Sequence, residues 1–195
     1  LYCYLVCNFN KCSYLRVFVN REEMMDRLIK KAWAADEPRT FELGSNSDLV
    51  LENVVTDNLR YTIERFGREG RGHITFPTKF DMVEPMLDLE HRGRTIFRMS
   101  VNPRDIVRRI ELGTSPLESR VNALNRVAEA GYPVGMLIAP VILMEDWKRQ
   151  YGQLIDYLAA ELSERVRETG FIEIILMTYS FVDNAINREA FPGAV

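Results

Sequence analysis

SPLESRVNALNRVAEAGYPVGMLIAPVIL, from Ser115 to Leu143, is the stretch that decides the fold. Ser115-Pro116-Leu117-Glu118 reads as a helix start, a capping box with proline at the first helical position. Leu117, Val121, Leu124 and Ala128 then recur at helical spacing, and Gly131-Tyr132-Pro133 stops the helix. Val134 to Leu143 follows as a nearly continuous apolar strand. A helix that feeds a strand apolar along its length is half of a βαβ unit whose sheet is covered on both faces.

The same pattern extends outward in both directions. Upstream, Asn20 stands where it can cap a helix, with Glu23 three residues on and Met25, Leu28, Ile29 and Ala32 on one face. Arg39 to Leu43 reads as a strand. One helix carries Val55, Leu59, Ile63 and Phe66 and ends at Gly67 and Gly70. His73 to Phe76 is strand-like, Asp81 can cap a short helix with Val83, Met86 and Leu87, and Arg94 to Val101 is a further strand. Downstream, Trp147 to Arg167 reads as the longest helix, with Tyr151, Leu154, Ile155, Leu158 and Leu162 inward, and Phe171 to Met177 is the last strand. Five strands separated by helices predict an α/β fold of parallel strands joined by right-handed crossovers. Periodicity alone does not choose between a barrel and an open doubly wound sheet. No Gly-x-Gly-x-x-Gly follows a strand, so a dinucleotide site has no support. With no internal linker or low-complexity stretch, residues 1–195 read as one domain.

Composition narrows the function classes. Apolar residues make up 47% and charged residues 27%, the mix of a globular protein with a sizeable core. No apolar run approaches the roughly 18 residues that span a bilayer, and the start lacks the features of a signal peptide. The net charge of −3 argues against a protein coated in positive charge for nonspecific DNA binding. Cys3, Cys7 and Cys12 all fall at the start, an odd, clustered set that suits thiol or metal chemistry in a cytoplasmic protein better than a disulfide framework.

In parallel α/β proteins ligands bind at the carboxyl ends of the strands. That rule selects Ser45, Asn46, Ser47 and Asp48; Thr78 and Lys79; Ser100 and Asn102; Ala139 and Pro140; and Thr178, Tyr179 and Ser180. Any one serine or asparagine there could simply cap the next helix. Lys79 directly follows an apolar strand, where it would point into the ring of strand ends, although composition alone equally allows a solvated lysine at a turn. His73 and His91 lack partners at metal-ligand spacing and read as structural. The arginine groups Arg104, Arg108, Arg109 and Arg92, Arg94, Arg98 read as solvated.

Several of these segments occur together in one known family. Leu1-Tyr2-Cys3-Tyr4-Leu5, Phe41-Glu42 with Ser47-Asp48, Thr78-Lys79-Phe80, Phe97-Arg98 with Ser100, Gly113-Thr114-Ser115-Pro116-Leu117, and Ala130-Gly131-Tyr132-Pro133 leading to Ala139-Pro140 resemble the spore photoproduct lyase family of radical S-adenosylmethionine (SAM) enzymes. The resemblance runs from Leu1 to about Pro192. It implies a partial (β/α) barrel of the radical SAM type, with parallel strands and outer helices. By the same resemblance, Cys3 is the last of three thiolate ligands to a 4Fe–4S cluster, and Ser47, Lys79, Ser100 and Ala139 contact S-adenosyl-L-methionine. Tyr2 and Tyr4 match tyrosines that contact SAM and assist hydrogen return. The implied activity is a carbon–carbon lyase of DNA repair: reductive cleavage of SAM gives a 5′-deoxyadenosyl radical that opens a methylene-bridged thymine dimer. The implied partners are damaged DNA and an electron donor such as flavodoxin or ferredoxin, for a monomer away from membranes.

Departures from the family pattern carry expectations of their own. Ser45 stands where the family has a hydrogen-donating cysteine, and a serine O–H bond is too strong to replace a thiol S–H. Either another thiol, such as Cys7 or Cys12, serves as donor, or the chemistry differs; a radical SAM enzyme with another substrate is the alternative. Cys7 and Cys12 are additional to the family pattern, and the spacing Cys-x3-Cys-x4-Cys is wrong for a cluster triad of their own. The first strand and two further cluster cysteines are expected upstream of Leu1, and a basic, aromatic segment after Val195. On that expectation the fragment alone is an inactive barrel with an incomplete cluster site.

Overall fold

The computed structural model describes residues 17–44, 47–176 and 181–190. Five strands, β1 (Thr40–Glu42), β2 (His73–Thr78), β3 (Thr95–Ser100), β4 (Val134–Ile138) and β5 (Phe171–Ile174), lie side by side in chain order. Every neighbouring pair is parallel. A doubly wound sheet reverses its strand order at a switch point; this one does not, and it forms a half-barrel. The helices are α1 (Arg21–Ala34), α2 (Leu49–Thr56), α3 (Asn58–Glu69), α4 (Arg104–Arg109), α5 (Leu117–Glu129), α6 (Trp147–Glu161), α7 (Glu164–Thr169) and α8 (Phe181–Ala190), with a 3₁₀ turn at Glu84–Met86.

Strand side chains alternate between faces, and here the faces differ sharply. Phe76, Phe97, Met99, Val134, Met136 and Ile138 point outward and are buried with Leu59, Ile63, Leu124, Val127, Leu154 and Leu158 of the helices. Phe97 meets Phe76 and Tyr132 edge to face, with centroids 4.7 and 4.9 Å apart. A smaller cluster joins Ile74 and Phe66 to Met25 and Ala32 of α1. The inner face instead carries Glu42, Thr75, Arg98, Gly135 and Glu173. Arg98, on the central strand, donates to Glu42 of β1 at 2.8 Å and to Glu173 of β5 at 3.0 Å. Each partner is two strands away, roughly 10 Å across a sheet, so both edges bend toward the face that Arg98 occupies. At Gly135 a Cβ would lie 2.4 Å from the Phe171 ring, and the missing side chain lets that ring fold over β4.

Several local expectations are corrected. The strands are not uniformly apolar, and Arg98 is not solvated but 8% exposed between two carboxylates. The expected helix through Val55 and Phe66 is two helices, broken at Asp57 in the left-handed region (φ 56°), and Val55 is exposed. The expected long helix from Trp147 is likewise broken: Leu162 and Ser163 are extended, Ser163 caps α7, and Ile155 faces outward. Ser115 does not cap α5, which begins after Pro116, and Asp81 caps no helix. Their side chains bond each other instead, Ser115 Oγ donating to Asp81 Oδ1 at 2.6 Å. The strand at Val134 ends at Ile138 and the last strand at Ile174.

Candidate active-site rim

The carboxyl ends of β1 to β4 form a rim, and its loops are tied together one to the next. After β1 the chain turns at Gly44 (φ 72°) and enters α2 at Asp48, whose carboxylate accepts from the Val50 and Leu51 amides. The same carboxylate accepts the Thr78 hydroxyl at 2.8 Å and the Lys79 amide at 2.9 Å, joining the β1 loop to the end of β2. Burial pushes the Asp48 carboxyl above its ordinary range, partly offset by these four donors. Next, the Lys79 carbonyl accepts the Ser115 amide at 3.1 Å, and the Asp81 amide donates to Ser115 Oγ at 3.1 Å.

Arg120 forms the centre of the rim. It sits on α5 with its guanidinium wholly buried. Nε donates to the Ser115 carbonyl at 2.7 Å, Nη2 to Thr114 Oγ1 at 2.6 Å, and Nη1 to both the Ser100 carbonyl at 3.0 Å and Glu111 Oε2 at 2.7 Å. Glu111, equally buried, accepts Asn102 Nδ2 at 2.8 Å on its other oxygen. Asn102 Oδ1 accepts the Tyr151 hydroxyl at 3.0 Å, and that hydroxyl accepts the Ile142 amide at 2.9 Å. Burial raises the Tyr151 phenol above its ordinary range and keeps it neutral. One line of hydrogen bonds thus runs from the β1 loop to the β4 loop. A buried ion pair is costly unless its remaining donors and acceptors are used; here every Arg120 nitrogen and both Glu111 oxygens are engaged.

The residues singled out from the sequence fall on this rim to different degrees. Ser47 is exposed in the β1 loop, its hydroxyl donating to Glu52 at 2.8 Å. Lys79 is half-buried immediately after β2, and Ser100 is buried as the last residue of β3. Ala139 is half-buried immediately after β4, joined to Pro140 by a cis peptide bond. Because β1 to β4 are consecutive neighbours, all four share one edge of the half-barrel. Tyr2, Cys3, Tyr4, Cys7, Cys12, Ser45, Asn46, Thr178, Tyr179 and Ser180 lie outside the described residues. Glu111, Arg120 and the polar role of Tyr151 escaped the sequence reading. Arg120 alone left a signal: an arginine in the apolar stripe of Leu117, Val121 and Leu124.

An ammonium and hydroxyls are the groups that suit the carboxylate and ribose of an adenosylated amino acid, and Lys79, Ser47 and Ser100 bring both kinds to this edge. Among the described residues no three His, Cys, Asp or Glu side chains are grouped to hold a metal, and no helix is long and apolar enough to cross a membrane. His91 accepts the Gly93 amide, meets the Ala130 carbonyl and stacks on Tyr132, all at the opposite end of the strands.

The profile of the spore photoproduct lyase family matches residues 1–194. Spore photoproduct lyase of Bacillus subtilis (strain 168) is 39% identical over 192 residues, 98% of this chain and 56% of the relative. That of Geobacillus sp. (strain Y412MC61) is 36% identical over 162 residues, 83% of this chain and 48% of the relative. Among solved structures, a spore photoproduct lyase double mutant with bound AdoMet and dinucleoside spore photoproduct superposes with a TM-score of 0.89 at 31% identity, covering 99% of this chain and 57% of that one. Spore photoproduct lyase complexed with dinucleoside spore photoproduct gives a TM-score of 0.85. The chain spans about half the length of the curated relatives it matches.

Proposed function

This chain belongs to the spore photoproduct lyase family, and from that premise we propose that it is the SAM-binding half-barrel of a radical enzyme that repairs methylene-bridged thymine dimers in DNA. The observation that carries the reading is the shared edge of Ser47, Lys79, Ser100 and Ala139 on four consecutive strands. Lys79 is assigned to the SAM carboxylate, Ser47 and Ser100 to its polar groups, and the Ala139 backbone to its flank. Cys3 is assigned as a cluster ligand, and Tyr2 and Tyr4 as the aromatic pair beside it. Bound there, SAM together with a reduced 4Fe–4S cluster would supply the radical chemistry of hydrogen abstraction. This chain's own part is to orient the cofactor with hydroxyls and one ammonium, and to keep bulk water from the rim by closing its rear with apolar helices. Reducing electrons come from a flavodoxin- or ferredoxin-like donor, and the protein acts as a cytoplasmic monomer.

A second reading keeps SAM cleavage and changes the substrate. It rests on Ser45, which cannot replace a thiol as hydrogen donor. The test of both is anaerobic reconstitution, with iron and sulfide, of this chain extended to the full length of its relatives, followed by assay of 5′-deoxyadenosine with and without dinucleoside spore photoproduct. Release of repaired thymines, abolished by Lys79→Ala at unchanged melting temperature, is expected. SAM cleavage without any repair would establish the second reading, and affinity for labelled SAM indifferent to Lys79→Ala would remove the SAM site that both readings share.

A further inference from the structure

Arg120 has donors only, and this fixes the direction of every hydrogen bond downstream of it. Glu111 must accept, so Asn102 turns its Nδ2 toward Glu111 and its Oδ1 outward. The Tyr151 hydroxyl must therefore donate to Asn102, leaving its lone pair for the Ile142 amide. Tyr151 belongs to α6, behind the rim, yet it is where the β3 end and the β4 loop meet. Ile142 lies three residues beyond Ala139, and Asn102 two beyond Ser100.

We propose that the Tyr151 hydroxyl is a positioning group that holds the β4 loop against the β3 end and so sets Ala139 relative to Ser100 for SAM. This rests on the reading of those two residues as SAM contacts. Phenylalanine here would keep the ring, which packs edge-on to Trp147 with centroids 6.5 Å apart. It would leave both the Asn102 carbonyl and the Ile142 amide without their partner.

The test uses this chain extended to the full length of its relatives and reconstituted with iron and sulfide. Dissociation constants for labelled SAM, hydrogen exchange of a peptide covering residues 139–146, and melting temperatures are measured for wild type, Tyr151→Phe and Lys79→Ala. Tyr151→Phe is expected to weaken SAM by about 3- to 10-fold, the range of one lost hydrogen bond, to speed exchange in the peptide, and to melt within a few degrees of wild type. SAM affinity lost in Lys79→Ala but retained in Tyr151→Phe overturns the positioning role and leaves the site reading standing. Affinity retained in both variants overturns the site reading, and the positioning role with it. Should Tyr151→Phe fail to fold, the wild type decides: SAM must slow exchange in the 139–146 peptide, and equal rates with and without it overturn the proposal.

Discussion

The two surfaces of the same five strands are built on opposite principles. Outside, Phe76, Phe97, Met99 and Met136 are apolar and sealed beneath helices, so their stabilisation scales with area and tolerates repacking. Inside and along the carboxyl rim, Arg98, Asn102, Glu111 and Arg120 are held by directed bonds, each useful only while its partners stay in place. The difference shows how a half-barrel can be both stable and specific: nondirectional burial supports a layer whose geometry directed bonds then fix.

The largest expected effects come from one residue of each kind. Phe97→Ala should cost about 3–5 kcal/mol through the cavity it leaves, and Phe97→Leu much less. Arg120→Met should cost about 3–5 kcal/mol because Glu111 stays buried without the guanidinium that pairs with it. Replacing Glu111 as well, with leucine, should recover part of it. Urea denaturation of the four variants checks this. Equal costs for Arg120→Met with and without Glu111→Leu would break the contrast, since the rim would then behave like ordinary core.

Arg98→Met should cost only about 1 kcal/mol, because Glu42 and Glu173 are 53% and 40% exposed and can take water instead. A loss as large as that of Arg120→Met would place the inner face with the rim rather than beside it.

The Asp48 carboxyl sharpens the comparison through pH. Its folded pKa is raised by burial, so the native state holds the proton more tightly than the unfolded chain, where it titrates near about 3.9. Its contribution to stability is therefore fully present below that value and fades as pH rises through the folded pKa. Wild type should gain on Asp48→Asn as pH falls from 7 toward 4 in denaturation series, and a constant difference across that range would refute the assignment.

The smallest effect is expected on the outer face of β5. Ile172 and Ile174 are 55% and 58% exposed there, so Ile172→Thr should change stability by no more than about 0.5 kcal/mol. A larger loss would mean that this strand is covered in solution.

Much of the outer layer was legible in the sequence, because burial of one helix face leaves a periodic trace. Leu117, Val121, Leu124 and Ala128 were read as buried and are. The breaks at Asp57 and Ser163 were not, since the apolar spacing continues across them while the backbone does not. Ser115-Pro116-Leu117-Glu118 looked like a local cap, but the hydroxyl found a partner 34 residues away in Asp81. Arg98 looked solvated because nothing near it in sequence offers a carboxylate; Glu42 and Glu173 lie 56 and 75 residues distant.

The sequence by itself therefore determined the alternation of strands and helices, the buried stripe of helices such as α5, and the edge on which Ser47, Lys79, Ser100 and Ala139 fall, since each follows from short-range periodicity and strand direction. Only the tertiary structure decided that the sheet curls around Arg98 and that Asp48, Ser115, Arg120 and Tyr151 bind four loops into one rim. Directed bonds between residues far apart in the chain have no period, and folding alone brings their partners within reach.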